Sequence, residues 1–430
     1  MHSSKSALNL HQIAFFAVFV LAGQSFAQFH ENVVYKFAGS PDGSRPAASL
    51  VADAAGNLYG TTADGGVQFS CCGTIFELSP PATAGGSWSE TVLYQFQGGS
   101  DGATPLGTLI FDKLGNLYGT TGGSGDNAVG STIFELSPPS TPGGAWTKTT
   151  LFTFSGSQYL VAGKLVMDAA GNLYGTTESG GTHNAGIAFE LVAPKTAGAA
   201  WAERTLYEFH AFASDGFGPG ADLLLRGGIL YGTTEAGGTA NQGTVFSLTP
   251  KPGLWTETIL HTFTGSEGEG PRAGLIMDSA GNLFGTAQGT NSSLCNTPID
   301  CGAIYELSPP AVAGDPWQET TLFRFSSLST GADPYAALWR NKNGVLYGTT
   351  IYGGNGGNNG RNLGTVFKLV PPAIAGGDWT EVVLHYFRGT AVGDGSRPTG
   401  ALILSNGVFY GTTEGGGDGN GMVFSLGFTP

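Results

Sequence analysis

Apolar and polar residues alternate in short runs along this chain, and glycine-rich turns separate the runs. In residues 88–96, the residues Trp88, Val92, Tyr94 and Phe96 share one parity. Aromatic and β-branched residues dominate these runs, and no i, i+3, i+4 stripe of apolar residues occurs after residue 27. The pattern predicts an all-β protein made of short strands.

One phrase, a turn followed by Leu-Tyr-Gly-Thr-Thr or a close variant, recurs seven times. Its aromatic position is occupied by Tyr59, Tyr118, Tyr174, Tyr231, Phe284, Tyr347 and Tyr410. The intervals between these residues are 59, 56, 57, 53, 63 and 63. A period of this length, filled with β-type runs and Gly turns, is typical of propeller blades. Seven near-equal units therefore predict a seven-bladed β-propeller.

Each unit contains four runs. In the second unit they are residues 107–112, 117–121, 132–136 and 146–154. Four short strands joined by turns make one blade. We label the strands A to D, with A innermost by analogy with other propellers. Gly inside Leu-Tyr-Gly-Thr-Thr is unfavourable in a strand unless another backbone or a ring approaches closely, so we expect such a contact in every blade.

The strand D phrase, an aromatic residue followed eight positions later by Phe, shows how the ring closes. Six copies follow a strand C, and a seventh stands before the first unit at residues 29–37. The last unit has only strands A, B and C, at residues 401–404, 408–413 and 422–426. The N-terminal strand should therefore complete the last blade, which removes an open sheet edge and makes residues 28–430 a single propeller.

Composition limits the partners. Charged residues are only 12% of the chain, against roughly 25% in an average domain, and the formal net charge is −14. No basic stripe is present to displace counterions from phosphates, so we expect no nucleic-acid partner. Anionic membranes are disfavoured for the same reason, and we expect a monomer without membrane insertion.

The first 27 residues have the features of a secretory signal peptide. A weakly basic start containing Lys5 precedes the apolar run 13–21, and small residues flank Phe26 at the cleavage position. The run is shorter than the ~20 apolar residues that a retained spanning helix needs. Gln24 stands where a lipoprotein would carry Cys. These features predict export without lipidation, to the periplasm or the exterior.

Four cysteines fit an exported protein. Cys295 and Cys301 are six residues apart in one loop, and this spacing predicts a local disulfide. Cys71 and Cys72 are adjacent, so they form a vicinal disulfide or remain thiols. A metal site would call for His or acidic neighbours, and these loops offer only Asp300.

Three phrases together resemble the GloVer tandem-repeat family, exported bacterial repeat proteins also called choice-of-anchor proteins. They are Gly-Asn-Leu-Tyr-Gly-Thr-Thr, Gly-Thr-Ile-Phe-Glu-Leu-Ser-Pro-Pro and Trp-x-Glu-Thr-Val-Leu-Tyr-x-Phe, and the resemblance covers residues 29–430. It implies export and tandem repeats but no established activity. Family members carry differing C-terminal sorting tails, and their absence here favours a freely secreted or periplasmic form.

Candidate chemistry lies in the variable loops. With A innermost, the D–A loops (from strand D to the next blade's strand A) share one face with the B–C loops, and loops of this kind carry function. The D–A loops contain these acids and arginines: Asp42, Arg45, Asp101, Asp215, Glu267, Arg272, Asp333, Asp394 and Arg397. Oxygen ligands in a ring suit a hard cation such as calcium, and with the arginines they suit a sugar or a peptide terminus. The alternative is turn chemistry, in which Asp hydrogen-bonds its own backbone. The sequence leaves the metal question open and indicates no other cofactor.

Two functions compete on this basis. Near-identical repeats spread similar residues around a ring, whereas catalysis needs one asymmetric constellation, and no catalytic motif is evident. We therefore favour a non-enzymatic binding or scaffold module that recognises a glycan or a cell-surface protein through the D–A/B–C loop face. The alternative is a glycan-active hydrolase or lyase that uses the D–A loop acids. The repeated Trp of strand D is expected to pack between blades.

Overall fold

The structure is a computed structural model, and it describes the chain in thirteen stretches. These are residues 29–66, 72–83, 85–122, 130–141, 143–155, 163–196, 198–210, 215–289, 301–312, 314–326, 329–354, 363–374 and 376–428. The predicted signal peptide, Cys71 and Cys295 lie outside the described residues.

The described residues form seven four-stranded antiparallel sheets, arranged as the blades of a β-propeller. Strands A to D of blade 1 are Val51–Ala52, Leu58–Thr62, Thr74–Ser79 and Ser89–Gln95; of blade 2, Ile110–Phe111, Leu117–Thr120, Thr132–Ser137 and Thr147–Thr153; of blade 3, Val166–Met167, Leu173–Thr177, Ile187–Val192 and Ala202–Glu208; of blade 4, Leu224–Arg226, Ile229–Thr234, Thr244–Lys251 and Leu254–Thr262. Those of blade 5 are Ile276–Met277, Leu283–Ala287, Ala303–Ser308 and Gln318–Arg324; of blade 6, Trp339–Arg340, Leu346–Thr350, Thr365–Val370 and Thr380–Tyr386; of blade 7, Ile403–Ser405, Val408–Thr413, Met422–Phe428 and the N-terminal Phe29–Lys36.

Short elements complete the fold. Gly216–Phe217 pairs with Ala236–Gly237, and Gly395–Ser396 pairs with Gly415–Gly416. Two 3₁₀ turns span Gly99–Asp101 and Thr390–Val392. In the part of the chain that the structure describes, no helix has the length and apolar character needed to cross a membrane.

The N-terminal strand closes the ring as the sequence predicts. Phe29–Lys36 runs antiparallel to Met422–Phe428, with Phe29 opposite Phe428 and Lys36 opposite Met422. Blade 7 thus takes its strand D from the opposite end of the chain to its strands A to C, and the sheet has no open edge at strand C.

Burial follows the radial order of the strands. Strands B and C are buried at most positions, whereas strands D alternate between exposed and partly buried residues. This alternation is expected of an outer strand with one face on the neighbouring blade and one in solvent. Strands A lie at the other edge of each sheet, so the segments that lead into them line the centre of the ring.

Aromatic pairs fill every seam, by which we mean the contact between neighbouring blades. The Phe after each strand D packs edge-on against an aromatic side chain in strand C of the next blade, with ring centroids 5.0–5.3 Å apart. The pairs are Phe37–Phe76, Phe96–Phe134, Phe154–Phe189, Phe209–Phe246, Phe263–Tyr305, Phe325–Phe367 and Phe387–Phe424. These rings form the repeated core of the protein.

The repeated Gly of strand B exists because of these rings. A Cβ added at Gly232 would lie 2.5 Å from Cζ of Phe246 and 2.9 Å from Cδ2 of Leu223. The corresponding Gly of each other blade would meet the same strand C aromatic equally closely. The predicted close approach of a ring is therefore confirmed in all seven blades.

The repeated Trp packs between blades, also as predicted. Trp146 lies against Tyr59 of the preceding blade with centroids 6.4 Å apart, and Trp88 lies 5.7 Å from Tyr410 across the closure. On the opposite face, Asp53 accepts hydrogen bonds from the backbone of its own A–B turn, including Asn57 N at 2.9 Å. Such turns fix the connection from strand A to strand B.

A second seam contact fixes the D–A loops. The residue before the loop Pro has a positive φ, 56° at Arg45 and 58° at Arg397, and its N–H donates to a carbonyl of the preceding blade. Arg397 N, for example, is 2.8 Å from Leu363 O. This conformation costs a non-glycine residue about 1–2 kcal/mol. The hydrogen bond to the preceding blade stabilises the loop in this conformation, over the centre of the ring.

Candidate binding site at the channel mouth

The D–A loop acids fold back onto the strand that precedes them. Asp42 Oδ2 accepts a hydrogen bond from Ala38 N at 2.8 Å and from the Tyr35 hydroxyl at 3.2 Å. The same two kinds of contact, a backbone N–H after strand D and a Tyr or His within it, recur at four other acids. They are Asp101, with Gln97 N and Tyr94; Asp215, with His210 N and Tyr207; Glu267, with Thr264 N and His261; and Asp394, with Arg388 N and His385.

The sixth acid, Asp333, is buried at φ 61°, and its carbonyl accepts from Ile351 N at 3.0 Å. None of the six acids belongs to the described residues that line the central cavity. The other five acids hydrogen-bond within their own loops, which is the structural role that the sequence analysis gave as the alternative to ligand binding. Ligand binding by these acids stays a prediction.

The three arginines instead reach toward B–C loops. Arg45 Nε is 2.9 Å from Asp64 Oδ2, Arg397 Nη2 is 3.3 Å from Glu414 Oε2, and Arg272 pairs with Glu235. Each pair joins a D–A loop to a B–C loop. The two kinds of loop therefore share one face, as the strand order predicts.

A central cavity of about 360 Å³ opens between the blades on this face. All seven blades contribute to it, through the residues just before each strand A, such as Ser49 of blade 1 and Thr108 of blade 2. Its charged and aromatic lining residues are Glu178, Asp222, Glu235, Arg272, Tyr335, Arg397 and Glu414. We call these seven residues the channel mouth.

The channel mouth is electrostatically asymmetric. Burial raises the pKa of Glu178, Arg272 opposes that rise, and the nearby Glu235 adds to it. Burial likewise raises the pKa of Tyr335, whose hydroxyl has Arg272 as a hydrogen-bond partner. Glu178 also fits closely against the backbone, since a Cβ at Gly220 would come 2.5 Å from its Oε1. One side of the ring thus combines a half-buried acid, a guanidinium group and a phenol.

Sequence reasoning found two of these residues, Arg272 and Arg397, and missed the other five. The sequence does mark these residues, at positions where the seven units differ from one another. Glu follows Thr-Thr in three of the seven phrases, at Glu178, Glu235 and Glu414. The residue after the loop Pro also varies, and it lines the cavity wherever that Pro occurs. These residues are Ala47, Leu106, Gly220, Arg272, Tyr335 and Thr399.

One group of described side chains has the geometry of a small metal site. Potential ligand atoms of Glu31, His385 and Asp394 lie within 4.8 Å of one another. The group sits between the closing strand and blade 6, away from the channel mouth. Asp394 and His385 already contact each other there at 3.3 Å.

Two of the four cysteines, Cys72 and Cys301, lie among the described residues. Cys72 and Cys301 are buried, and neither carries a free thiol. Their predicted partners lie outside the described residues, so the described chain contains no complete pair. The pairings Cys71–Cys72 and Cys295–Cys301 stay predictions.

Two solved structures resemble this ring at low sequence identity. One is a protein from Thermus thermophilus provisionally described as an oxidoreductase (glucose dehydrogenase), with 14% identity, a TM-score of 0.44, and coverage of 93% of this chain and 99% of that one. The other is a protein of unknown function from Dyadobacter fermentans, with 11% identity, a TM-score of 0.45, and coverage of 93% and 98%. At these values the likeness carries no inference about this chain. No curated protein matches the sequence.

The repeat itself is matched by a family model. The Gloeobacter/Verrucomicrobia repeat matches residues 21–189, 140–310 and 202–424. These three overlapping matches span almost all of the propeller, and they confirm the resemblance carried by the three repeated phrases. The chain belongs to the Gloeobacter/Verrucomicrobia repeat family.

Proposed function

We propose that this protein is an exported, non-enzymatic binding module whose ligand enters the channel mouth. The observation that carries the proposal is the cavity of about 360 Å³ on the loop face, with polar side chains on one side of an otherwise repetitive ring. Binding pockets typically occupy ~300–1,000 Å³ and hold a few converging polar groups. Export rests on the signal-like residues 1–27, and the periplasm or the exterior is the proposed location.

The ligand class follows from the lining. Arg272 and Arg397 are each paired with a glutamate, so they offer hydrogen bonds without a large excess of positive charge. Tyr335 adds a partly exposed aromatic ring beside them. A glycan suits this lining, because the Arg–Glu pairs can hydrogen-bond its hydroxyl groups and the ring of Tyr335 can pack on a pyranose. The same groups suit a polar loop of a cell-surface protein.

A glycan-active hydrolase is the second candidate, and Glu178 is the observation that favours it. A general acid in glycoside hydrolysis needs a raised pKa and a second carboxylate nearby. Glu178 has its pKa raised by burial, and Glu235 is near enough to raise it further. In this alternative the acids come from the B–C loops rather than the D–A loops.

The two candidates separate in one experiment. The mature protein is applied to a glycan array and to a panel of surface-protein extracts, and reducing-sugar release is measured on the same glycans. We expect retention without release, and loss of retention in Tyr335→Ala and Arg397→Ala. Asp378→Asn serves as the control, because Asp378 is exposed in a linker between strands C and D and does not line the cavity.

Release that disappears in Glu178→Gln but persists in Asp378→Asn would replace the binding proposal with the hydrolase. Absence of both retention and release over the whole panel would contradict both candidates. Circular dichroism of each variant checks that the fold is retained.

A further inference from the structure

The third residue of each strand D phrase forms a column around the ring. It is Glu in six blades and Lys in one, as Glu31, Glu90, Lys148, Glu203, Glu257, Glu319 and Glu381. In four seams the column residue interacts with the acid of the D–A loop that enters the same blade, and in one of them, Glu31 with Asp394, His385 also acts on the glutamate. In the other three, Glu90 interacts with Asp42, Glu257 with Asp215, and Lys148 with Asp101.

In the seam between blades 1 and 2 the column residue is Lys148, and it forms an ion pair with the loop acid. Lys148 Nζ donates to Asp101 Oδ1 at 2.8 Å and to the Asp101 carbonyl at 2.6 Å. Its side chain is only 4% exposed, and its ammonium group lies 5.7 Å from the centroid of the Phe96 ring. The loop acid between blades 1 and 2 therefore has a buried positive charge as its partner.

The seam between blades 7 and 1 has an acid at each of these two positions, Glu90 in the column and Asp42 in the loop. Glu90 Oε1 and Asp42 Oδ1 are both buried and have no hydrogen-bond partner. The other titratable group that acts on this pair is Tyr35, whose hydroxyl donates to the second oxygen of Asp42. Two orphaned carboxylate oxygens in one seam are costly unless one of them carries a proton.

The seam between blades 3 and 4 repeats the arrangement with one addition. Glu257 Oε1 is buried without a partner, and Asp215 is the acid that acts on it. Tyr207 contacts Asp215 at 3.1 Å, and His210 Nδ1 contacts it at 3.2 Å. His183 stacks on His210 with centroids 4.1 Å apart, and Glu208 interacts with both imidazoles.

We propose that these two seams each close on a single proton bound by the Glu–Asp pair, in the place where the Lys148 seam has its ammonium group. Loss of that proton leaves two interacting negative charges within the seam. The propeller is then a pH-dependent ring, tightly closed in acid and loosened at two seams as the pH rises.

The direction of the pH dependence follows from the glutamates. Burial first, and the neighbouring Asp second, raise the pKa of Glu90 from 4.5 to about 7 and that of Glu257 from 4.5 to about 8. A carboxyl with a raised pKa in the folded state binds its proton more tightly there than in the unfolded chain. Its contribution to stability is complete below about pH 4.5 and is lost as the pH rises toward 7–8.

The test compares Tm between about pH 4.5 and pH 8.5, a range that brackets both titrations, in the full mature protein and four variants. In Glu90→Gln the side-chain amide donates an N–H where the protonated carboxyl group of Glu90 would donate its O–H, and the amide does not titrate. Glu90→Lys copies the Lys148 seam, and Lys148→Glu creates an additional acid pair. Asp418→Lys makes the same charge change as Glu90→Lys at an exposed position.

We expect both Glu90 variants to reduce the fall in Tm over this range by a few degrees, Lys148→Glu to increase it, and Asp418→Lys to match the parent. Infrared difference spectra in mildly acidic buffer should show a protonated carboxyl band that is weaker in Glu90→Gln. That band also decides the case if Glu90→Lys does not fold.

Two results would overturn the proposal. One is an unchanged slope and carboxyl band in Glu90→Gln. The other is a rise in parental Tm in mildly alkaline buffer on adding calcium chloride that Glu90→Gln abolishes, since the seam would then bind a metal ion rather than a proton.

Discussion

The seams and the channel mouth are produced by the same repeat, but their equivalent positions behave differently. In the seams, all seven copies pair a Phe after strand D with an aromatic residue of strand C, and Gly of strand B makes room for it. At the mouth, equivalent positions hold residues as different as Ala47, Gly220 and Tyr335. A seam imposes the same shape on every blade, whereas a ligand bound in the centre, as we propose, would contact each blade differently. Repetition therefore marks the packing of this protein, and breaks in repetition mark the candidate site.

The largest expected effect comes from removing a whole seam element. Deletion of residues 28–38 takes away the strand paired with Met422–Phe428 and the buried Phe37. The exposed sheet edge and the unpaired Phe76 ring should cause aggregation or a large drop in Tm. Differential scanning calorimetry and light scattering measure both.

The matched control for that deletion removes residues 1–27 alone. It should melt cooperatively, because the closing strand is intact. A protein lacking residues 28–38 that melts like this control would show that the seam between blades 7 and 1 contributes little.

A single methyl group tests the shape requirement next. Gly232→Ala places a Cβ 2.5 Å from the Phe246 ring, and overpacking of this kind costs about 1–3 kcal/mol. Gly427→Ala is the control, since Gly427 also lies in a strand but its added Cβ meets no atom within 4 Å. Urea unfolding of the two variants should separate clearly. Equal stability would mean that the rings have room to move.

The smallest expected effect tests the one seam that departs from Phe in strand C. Tyr305 is fully buried, and its hydroxyl has no hydrogen-bond partner. Tyr305→Phe restores the residue of the other blades and removes an unsatisfied group, so we expect a gain of about 1 kcal/mol in the free energy of unfolding, measured by urea titration.

Tyr335→Phe gives the contrast at the mouth. That hydroxyl is a hydrogen-bond partner of Arg272, so its loss should bring no gain in stability. If Tyr305→Phe destabilised the protein instead, the seam hydroxyl would have a partner that the structure does not contain.

The sequence predicted the fold well because each blade repeats its own constraints. The Leu-Tyr-Gly-Thr-Thr phrase located strand B seven times, and the D-type phrase at residues 29–37 predicted ring closure. The loop acids were harder to interpret because their partners lie at varying distances along the chain. Tyr35 precedes Asp42 by seven residues, whereas His385 precedes Asp394 by nine. That variation hid a repeated capping contact.

The channel mouth could not be predicted because its members come from different blades. Glu178 and Glu414 are separated by more than two hundred residues, and only closure of the ring brings both to one cavity. The seam acids were equally hidden. Glu90 looks like an exposed strand residue, and Asp42 looks like a turn residue, until the neighbouring blade is in place.

The antiparallel pairing of the first and last strands also decides how the ring responds to a pulling force. Phe29 lies opposite Phe428, so tension applied to those two ends loads the hydrogen bonds nearest them first. The bonds would then break one after another, as in peeling, and each is worth only about 1 kcal/mol net. The other six blades are continuous chain and would be loaded only after blade 7 had opened. Blade 7 is thus the part of the ring that resists tension least, and a protein held at both strands would open there first.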